Sequence, residues 1–223
     1  MKLFSSYRFL MFISVLCMLV TIAVWSAITQ KNPLDRKLVR AIFNGKSKEV
    51  VSLLKMGANP NSRDEEALLD ETRQSALIVA IDWRMRETTG HIKKRGYTPG
   101  NAPPENTVIV RALLEKGANV QSRNQVGCTP LMIAAWQGKN ATLKLLLNYD
   151  QKINTQKDTG YTAIMLAVAG HNIESIKILL EHGADFESIR DDDGDTCLSL
   201  AQVRKDADIV KLLLNFKLKS DKN

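Results

Sequence analysis

The sequence predicts an all-α solenoid of about five helix–turn–helix repeats with short β-hairpin loops, preceded by one apolar helix. Leu-Leu pairs recur at spacings of 60, 33, 33 and 34 residues, at positions 53/54, 113/114, 146/147, 179/180 and 213/214. A Gly-Ala pair follows three of them at the same offset, at 57/58, 117/118 and 183/184. A period of roughly 20 to 50 residues is typical of stacked units that bury their apolar faces against each other.

A second motif precedes each of the last three Leu-Leu pairs. It appears as GCTPL at 127–131, GYTAI at 160–164 and GDTCL at 194–198, each followed by one or two alanines. Together with the Leu-Leu and Gly-Ala pairs, these residues resemble the ankyrin repeat over about residues 34–217. The resemblance implies repeats at about 34–66, 70–121, 124–154, 157–187 and 191–217.

Each part of the motif has a physical role. A hydroxyl at the start of the first helix can cap it, at Ser75, Thr129, Thr162 and Thr196. Glycine at 127, 160 and 194 supplies the positive φ of the preceding tight turn. The second helices carry apolar residues at helical spacing, as at Val50, Leu53 and Leu54, which predicts one stripe that stacking buries.

The spacing of 60 residues indicates an enlarged second repeat. Its surplus lies partly in the hairpin after Gly57 and mostly between Ala80 and Val110. The segment 84–107 is rich in glycine and proline, which predicts a loop insertion. Such a long loop is either disordered or functional, and both interpretations remain open. A functional loop would use its basic residues to bind an acidic partner or anionic lipid, through Arg84, Arg86, Lys93, Lys94 and Arg95.

The chain also departs from the family pattern. The histidine that usually follows the first-helix leucine is absent from every repeat, where Val39, Ile78, Met132, Met165 and Ser199 stand instead. We therefore expect a hydrogen-bond network between repeats to be missing. His171 and Asp150 occupy places usually given to glycine. These departures predict a stable but not rigid array.

The N-terminal segment differs from the rest of the chain. A short tail, residues 1–8, precedes an uncharged apolar run at 9–30, which as a helix would span roughly 30 Å of bilayer. An uncleaved transmembrane signal-anchor is favoured over a cleaved signal peptide, because Val24-Trp25-Ser26 is a poor cleavage site. Lys2 and Arg8 favour a single-pass topology with the repeats on the outer, periplasmic side. The alternatives are a secreted or periplasmic protein after cleavage and a cytoplasm-facing membrane scaffold.

The charge distribution argues against a nucleic-acid partner, and the candidate reactive residues argue against catalysis. The net charge of +7 is scattered rather than gathered on one face, which argues against a nucleic-acid partner. The three histidines, His91, His171 and His182, share no catalytic arrangement with a serine or cysteine. The run at 191–195 lacks the first and last carboxylates of a calcium loop. Cys128 and Cys197 lie two repeats apart, about 20 Å, which is too far for a disulfide.

The resemblance implies a monomeric protein-binding module that needs no cofactor, no metal and no small-molecule substrate. The two positions that follow the alanines of the motif end the first helix, and we expect them to face the concave side. They are Asp82 and Trp83 in repeat two, and Trp136 and Gln137 in repeat three. Hairpin tips and the following repeat add further candidates, at Glu71, Thr72, Gln74, Gln125, Val126 and Tyr161. An inhibitor or immunity protein and an accessory of an envelope enzyme are the expected roles.

Overall fold

The computed structural model describes residues 32–63, 74–82, 106–150 and 152–220. These residues contain ten helices: α1 Pro33–Phe43, α2 Ser47–Lys55, α3 Ala76–Ile81, α4 Thr107–Glu115, α5 Pro130–Trp136, α6 Asn140–Leu147, α7 Ala163–Ala169, α8 Ile173–Glu181, α9 Cys197–Val203 and α10 Ala207–Ser220. The prediction of an all-helical solenoid is confirmed. The predicted β-hairpins are instead turns, since the only β pairing in the described part is an isolated bridge between Arg63 and Ser75.

The helices stack as two rows. The first helices of repeats two to five pack side by side, α3 on α5, α5 on α7 and α7 on α9. The second helices form the other row, with α2 on α4, α4 on α6 and α6 on α8. The described residues from Leu34 onward belong to one compact unit. One continuous apolar core therefore runs through the array, as expected when single repeats cannot bury their own stripes.

The predicted helix caps and apolar stripes are confirmed. The hydroxyl oxygens of Ser75, Thr129, Thr162 and Thr196 each accept a hydrogen bond from the backbone N–H three residues later. This satisfies one of the N–H groups that a helix start leaves unpaired. The first leucine of every Leu-Leu pair from repeat one to repeat five is buried.

The backbone also shows where glycine is replaced. Gly127, Gly160 and Gly194 have the predicted positive φ, between 75° and 85°. The turn between the two helices of a repeat needs the same conformation, and Gly45 and Gly138 supply it in repeats one and three. In repeats four and five the turn residues are His171 and Lys205, at φ 55° and 57°. A side chain in this region costs on the order of 1 kcal/mol.

The expected loss of hydrogen bonding between repeats is wrong. Side-chain amides after the second helices of repeats one, two and three link neighbouring repeats in place of histidine. Asn61 donates to the carbonyl oxygen of Gly117 at 3.1 Å and accepts from the N–H of Asn119 at 2.7 Å. Gln121 donates to the Asp150 carboxylate at 2.7 Å, and the Asn154 side chain accepts from the N–H of Asp185 at 2.9 Å. We call this series the amide ladder.

Three predictions fall outside the described residues. They are the N-terminal anchor at 9–30, most of the insertion at 84–107, and the candidates Glu71, Thr72 and Trp83. Among the helices that the structure does describe, none is long and apolar enough to cross a membrane.

Candidate protein-binding surface

The three tight turns before repeats three, four and five, here called the tips, are joined in a row. Arg123 donates to the carbonyl oxygen of Gly127 in its own tip and to that of Gln156 in the next, both at 2.9 Å. Gln156 repeats the arrangement, donating to Gly160 at 2.7 Å and to Arg190 at 2.8 Å. These bonds fix the spacing of the tips, so residues at their outer ends form a continuous surface.

The first tip presents Gln125 and Val126 to solvent. Both residues are exposed. The Asn124 side chain holds the turn by accepting from the N–H groups of Val126 at 3.1 Å and Cys128 at 2.8 Å. Asp191 holds the last tip in the same way, accepting from the N–H groups of Asp193 and Asp195. Exposed side chains on such pre-formed turns lose little backbone entropy on binding.

Tyr161 lies at the base of the middle tip and is half-buried. The ammonium group of Lys157 lies 5.5 Å from the centre of its ring, a cation–π contact. Burial raises the pKa of the Tyr161 hydroxyl, and the carboxylates of Asp191, Asp193 and Asp195 raise it further. A side-chain hydrogen bond to Asp191 also contributes to the raised pKa, so the hydroxyl stays protonated at neutral pH and is tied to the neighbouring tip.

Trp136 ends helix α5, and its side chain is 39% exposed. Its indole packs toward the next repeat, because a Cβ added to Gly170 would lie 3.2 Å from Trp136 Cδ1. The side chain of Asn172 donates to the Trp136 carbonyl oxygen at 2.7 Å. The next repeat thus holds both the backbone and the ring of Trp136 while part of the ring faces solvent.

Other predicted candidates lie inside the array. Asp82 is buried, and its carboxylate accepts a hydrogen bond at 2.9 Å from the side chain of Gln137, which is half-buried. Lys139 beside them donates to the carbonyl oxygen of Ile81. Gln74 is also buried. Asp82, Gln137 and Gln74 therefore contribute to packing within and between repeats two and three rather than to an exposed surface.

No reactive centre emerges from the described residues. Cys128 and Cys197 are unbonded and buried, and burial raises the pKa of both thiols, to about 12 at Cys197. A thiol with a raised pKa is a poor nucleophile. His171 contacts Asp206, and Nδ1 of His182 lies 2.7 Å from the carbonyl oxygen of Ile178. In the described part of the chain, no group of three or more His, Cys, Asp or Glu residues is arranged to hold a metal.

A family model described as ankyrin repeats, in three copies, matches residues 102–157 and 137–223. The two matches together cover more than half of the chain. This chain belongs to the ankyrin-repeat family. Ankyrin repeats are typically non-catalytic interaction domains, so the chain is a protein-interaction module.

Three curated relatives are similar to this chain in sequence. Ankyrin repeat and SAM domain-containing protein 6 of Rattus norvegicus is 33% identical over 53% of this chain and 14% of its own length. The transient receptor potential cation channel subfamily A member 1 of Homo sapiens is 25% identical over 67% and 15%. The putative palmitoyltransferase ZDHHC13 of Danio rerio is 29% identical over 78% and 31%. The chain thus spans less than a third of each of these relatives.

Sequence reasoning missed the residues that join ankyrin repeats to one another. Arg123, Gln156 and Arg190 each lie four residues before the glycine of their tip. Asn61 and Gln121 each lie four residues after the glycine of a Gly-Ala pair. Both spacings can be seen in the sequence, but only the structure shows which carbonyl oxygens these side chains reach.

Proposed function

We propose that this ankyrin-repeat module binds a partner protein through the tip surface, defined as Gln125, Val126, Trp136 and Tyr161. The observation that carries the proposal is Trp136, a partly exposed tryptophan whose ring and backbone are held by the next repeat. Exposed tryptophan lowers solubility unless a partner covers it. On the concave side of the array, Trp136 would be the anchor and the tips would supply polar contacts around it.

The physical case rests on how interface energy is distributed. Tryptophan and tyrosine are enriched among the few residues that carry most of the binding energy, each typically worth about 2 kcal/mol or more. A ring that is already positioned loses little side-chain entropy when it is covered. Trp136 is fixed by Gly170 and Asn172, and Tyr161 is in contact with Lys157.

Site-specific photo-crosslinking in the native host tests the surface. A benzophenone amino acid at Gln125 should give a discrete adduct with one protein. The same group at Lys144, exposed on helix α6 in the second-helix row, is the control and should give none. Adducts from position 144 and not from 125 would place recognition on the other row of helices.

Once the partner is identified, Trp136→Ala should weaken binding at least tenfold, about 1.4 kcal/mol or more. The melting temperature should fall by only a few degrees, because the ring is partly exposed and its loss leaves the core leucines in place. Unchanged affinity, or loss of the folded state, would refute the role given to Trp136.

We also propose that residues 9–30 tether the module to a membrane, with the repeats on the periplasmic side. The support is the length of the uncharged run and the poor cleavage site. Fractionation followed by intact-mass measurement should find a membrane-bound protein that retains residues 1–30. A soluble product that begins near Ala27 would contradict the tether.

The role that fits a tethered binding module is to inhibit a toxin or to assist an envelope enzyme. A scaffold on the cytoplasmic face is the competing proposal. Reporter fusions at the C-terminus separate the two, because alkaline phosphatase is active outside the cytoplasm whereas green fluorescent protein exported by the general secretory route does not fluoresce. Fluorescence without phosphatase activity would favour the scaffold.

A further inference from the structure

The last repeat carries an apolar surface that earlier repeats bury. The second leucines of the four earlier pairs are each followed by another helix pair. Leu54, Leu114 and Leu180 are 3 or 4% exposed, and Leu147 is partly buried. Their counterpart Leu214 on α10 is 42% exposed. Within the described residues no helix pair follows α10, so the position that stacking normally buries remains open to solvent.

Apolar residues form a stripe along α10, in which Val210 is partly buried and Leu214 and Leu218 are exposed. Val210, Leu214 and Leu218 recur every four residues and therefore lie on one face of α10. Leu218 is 59% exposed, and Val203, at the end of α9, is 74% exposed. Val203 has the register of Trp136, which contacts the following repeat. We call Val203, Val210, Leu214 and Leu218 the end face. With 14 residues, α10 is about 21 Å long and matches about four turns of a second helix.

The rim of the end face is basic. Lys211 flanks the stripe on α10, Arg204 and Lys205 follow Val203, and Lys219 follows Leu218. All four are exposed, against the single exposed acid Asp208 on α10. Lys217 is paired with Glu187 at 3.0 Å. A covering surface of the same sign would be repelled, whereas one that carries carboxylates would be attracted.

Charge disfavours a second copy of this chain as the cover. Two end faces packed on each other would oppose their basic rims. Stacking the opposite end of the array on the end face would bring Arg36, Lys37 and Arg40, exposed on α1, against the same rim. Both modes of self-association therefore place like charges together.

We propose that the end face binds an amphipathic α-helix of a partner protein, with apolar residues at four-residue spacing and carboxylates beside them. The helix occupies the place that a following repeat takes elsewhere in the array. This is recognition of a helix by an apolar helical surface, with the charged rim setting the choice of partner. The site is separate from the tip surface.

The test uses the full chain in nanodiscs of uncharged phosphatidylcholine and two fluorescent helical peptides. Both peptides carry leucine at four-residue spacing. One has glutamate beside the leucines and its twin has lysine. The acidic peptide should bind, by anisotropy, at least tenfold more tightly than its twin. Equal binding, or no binding of the acidic peptide, would overturn the proposal.

Matched variants locate the binding. Leu218→Glu should weaken binding of the acidic peptide at least tenfold, while Met56→Glu, an equally exposed apolar residue at the other end, should not. Lys211→Glu should weaken it severalfold, while Lys144→Glu, at the same register in repeat three, should have no effect. Trp136→Ala should also leave peptide binding unchanged. If either control variant weakened peptide binding as much as its matched end-face variant, or if Trp136→Ala weakened it, the peptide would not bind at the end face.

Two further measurements separate the competing occupants. Leu218→Cys should stay reactive toward a maleimide when phosphatidylserine is added to the nanodiscs. Protection by anionic lipid would identify a membrane surface and refute the helix. Light scattering should show one copy of the chain at micromolar concentration. A dimer that Leu218→Glu dissociates would identify a second copy instead.

Discussion

The two ends of the array are closed by helices of opposite character. At the N-terminal end, α1 buries Leu38, Val39, Ala41 and Ile42 and exposes basic residues. At the C-terminal end, α9 buries only Cys197 and Ala201, and α10 exposes Leu214 and Leu218. A terminal repeat with a polar outer face protects a stack from solvent, and in the described chain only the first repeat has one.

The backbone turns also differ between the N-terminal and the C-terminal repeats. The helix–helix turn is a glycine in repeats one and three but His171 and Lys205 in repeats four and five. The turn after the second helix is held by the amides of Asn59 and Asn119 in repeats one and two, and by the carboxylate of Asp185 in repeat four. We therefore expect repeats of similar sequence to differ in stability according to their place in the stack. We expect the C-terminal repeats to open first.

The largest expected effect compares a buried leucine with its exposed counterpart. Leu180→Asp places an unpaired carboxylate in the core and should lower the free energy of unfolding by about 3 kcal/mol or more. Leu214→Asp, at the same register, should lower it by less than about 1 kcal/mol, because water solvates the new charge. Urea unfolding followed by circular dichroism measures both. Similar losses would show that the end face is covered in the folded protein.

Helix caps give the next effect. Thr162 is fully buried and caps the N–H of Met165, so Thr162→Ala should cost about 1 to 2 kcal/mol of stability. Thr196 caps Ser199 in the last repeat but is half-buried. Because water can replace the lost hydroxyl there, Thr196→Ala should cost about 0.5 kcal/mol. Urea unfolding measures both losses. A larger loss for Thr196→Ala than for Thr162→Ala would contradict the expectation that the C-terminal repeats open first.

Thiol labelling sharpens the comparison further. Cys197 and Cys128 are both buried with raised pKa values, so each should react through local opening. With Cys17→Ser to remove the third thiol, Cys197 should react about fivefold faster than Cys128, since its repeat opens at lower cost. Rates followed by mass spectrometry measure the difference. Faster labelling of Cys128 would place the weak point in the middle of the array.

The smallest effect depends on pH. Hydrogen bonds from the side chain and the N–H of Ser188 lower the pKa of Asp185 in the folded chain. Its stabilisation is therefore complete above the pKa of the unfolded state and is lost as pH falls through the lower folded-state pKa. Asp185→Asn should flatten the acid limb of the stability curve. Asn119→Asp should introduce the same dependence in repeat two, and unfolding between pH 7 and 3 tests both.

Local rules were enough to predict most of the fold. The hydroxyls at 75, 129, 162 and 196 and the glycines at 127, 160 and 194 act within one turn of the chain, so their roles follow from residue type and spacing. The candidate surface was predicted less completely. Trp136, Gln125 and Val126 are exposed, but Asp82 is buried because Gln137, 55 residues away in sequence, bonds to it. Sequence position alone does not reveal such a partner.

The sequence by itself determined the helix pairs, their register and the stripe of leucines that stacking buries. Only the tertiary structure decided which leucines are buried, since the pairs at 179/180 and 213/214 are identical in sequence while Leu180 and Leu214 are 3% and 42% exposed. The physical reason is that the burial of a side chain depends on which helices pack against it and not on its residue type alone. A helical stripe is fixed by spacing along the chain, whereas its removal from water requires another helix pair against it.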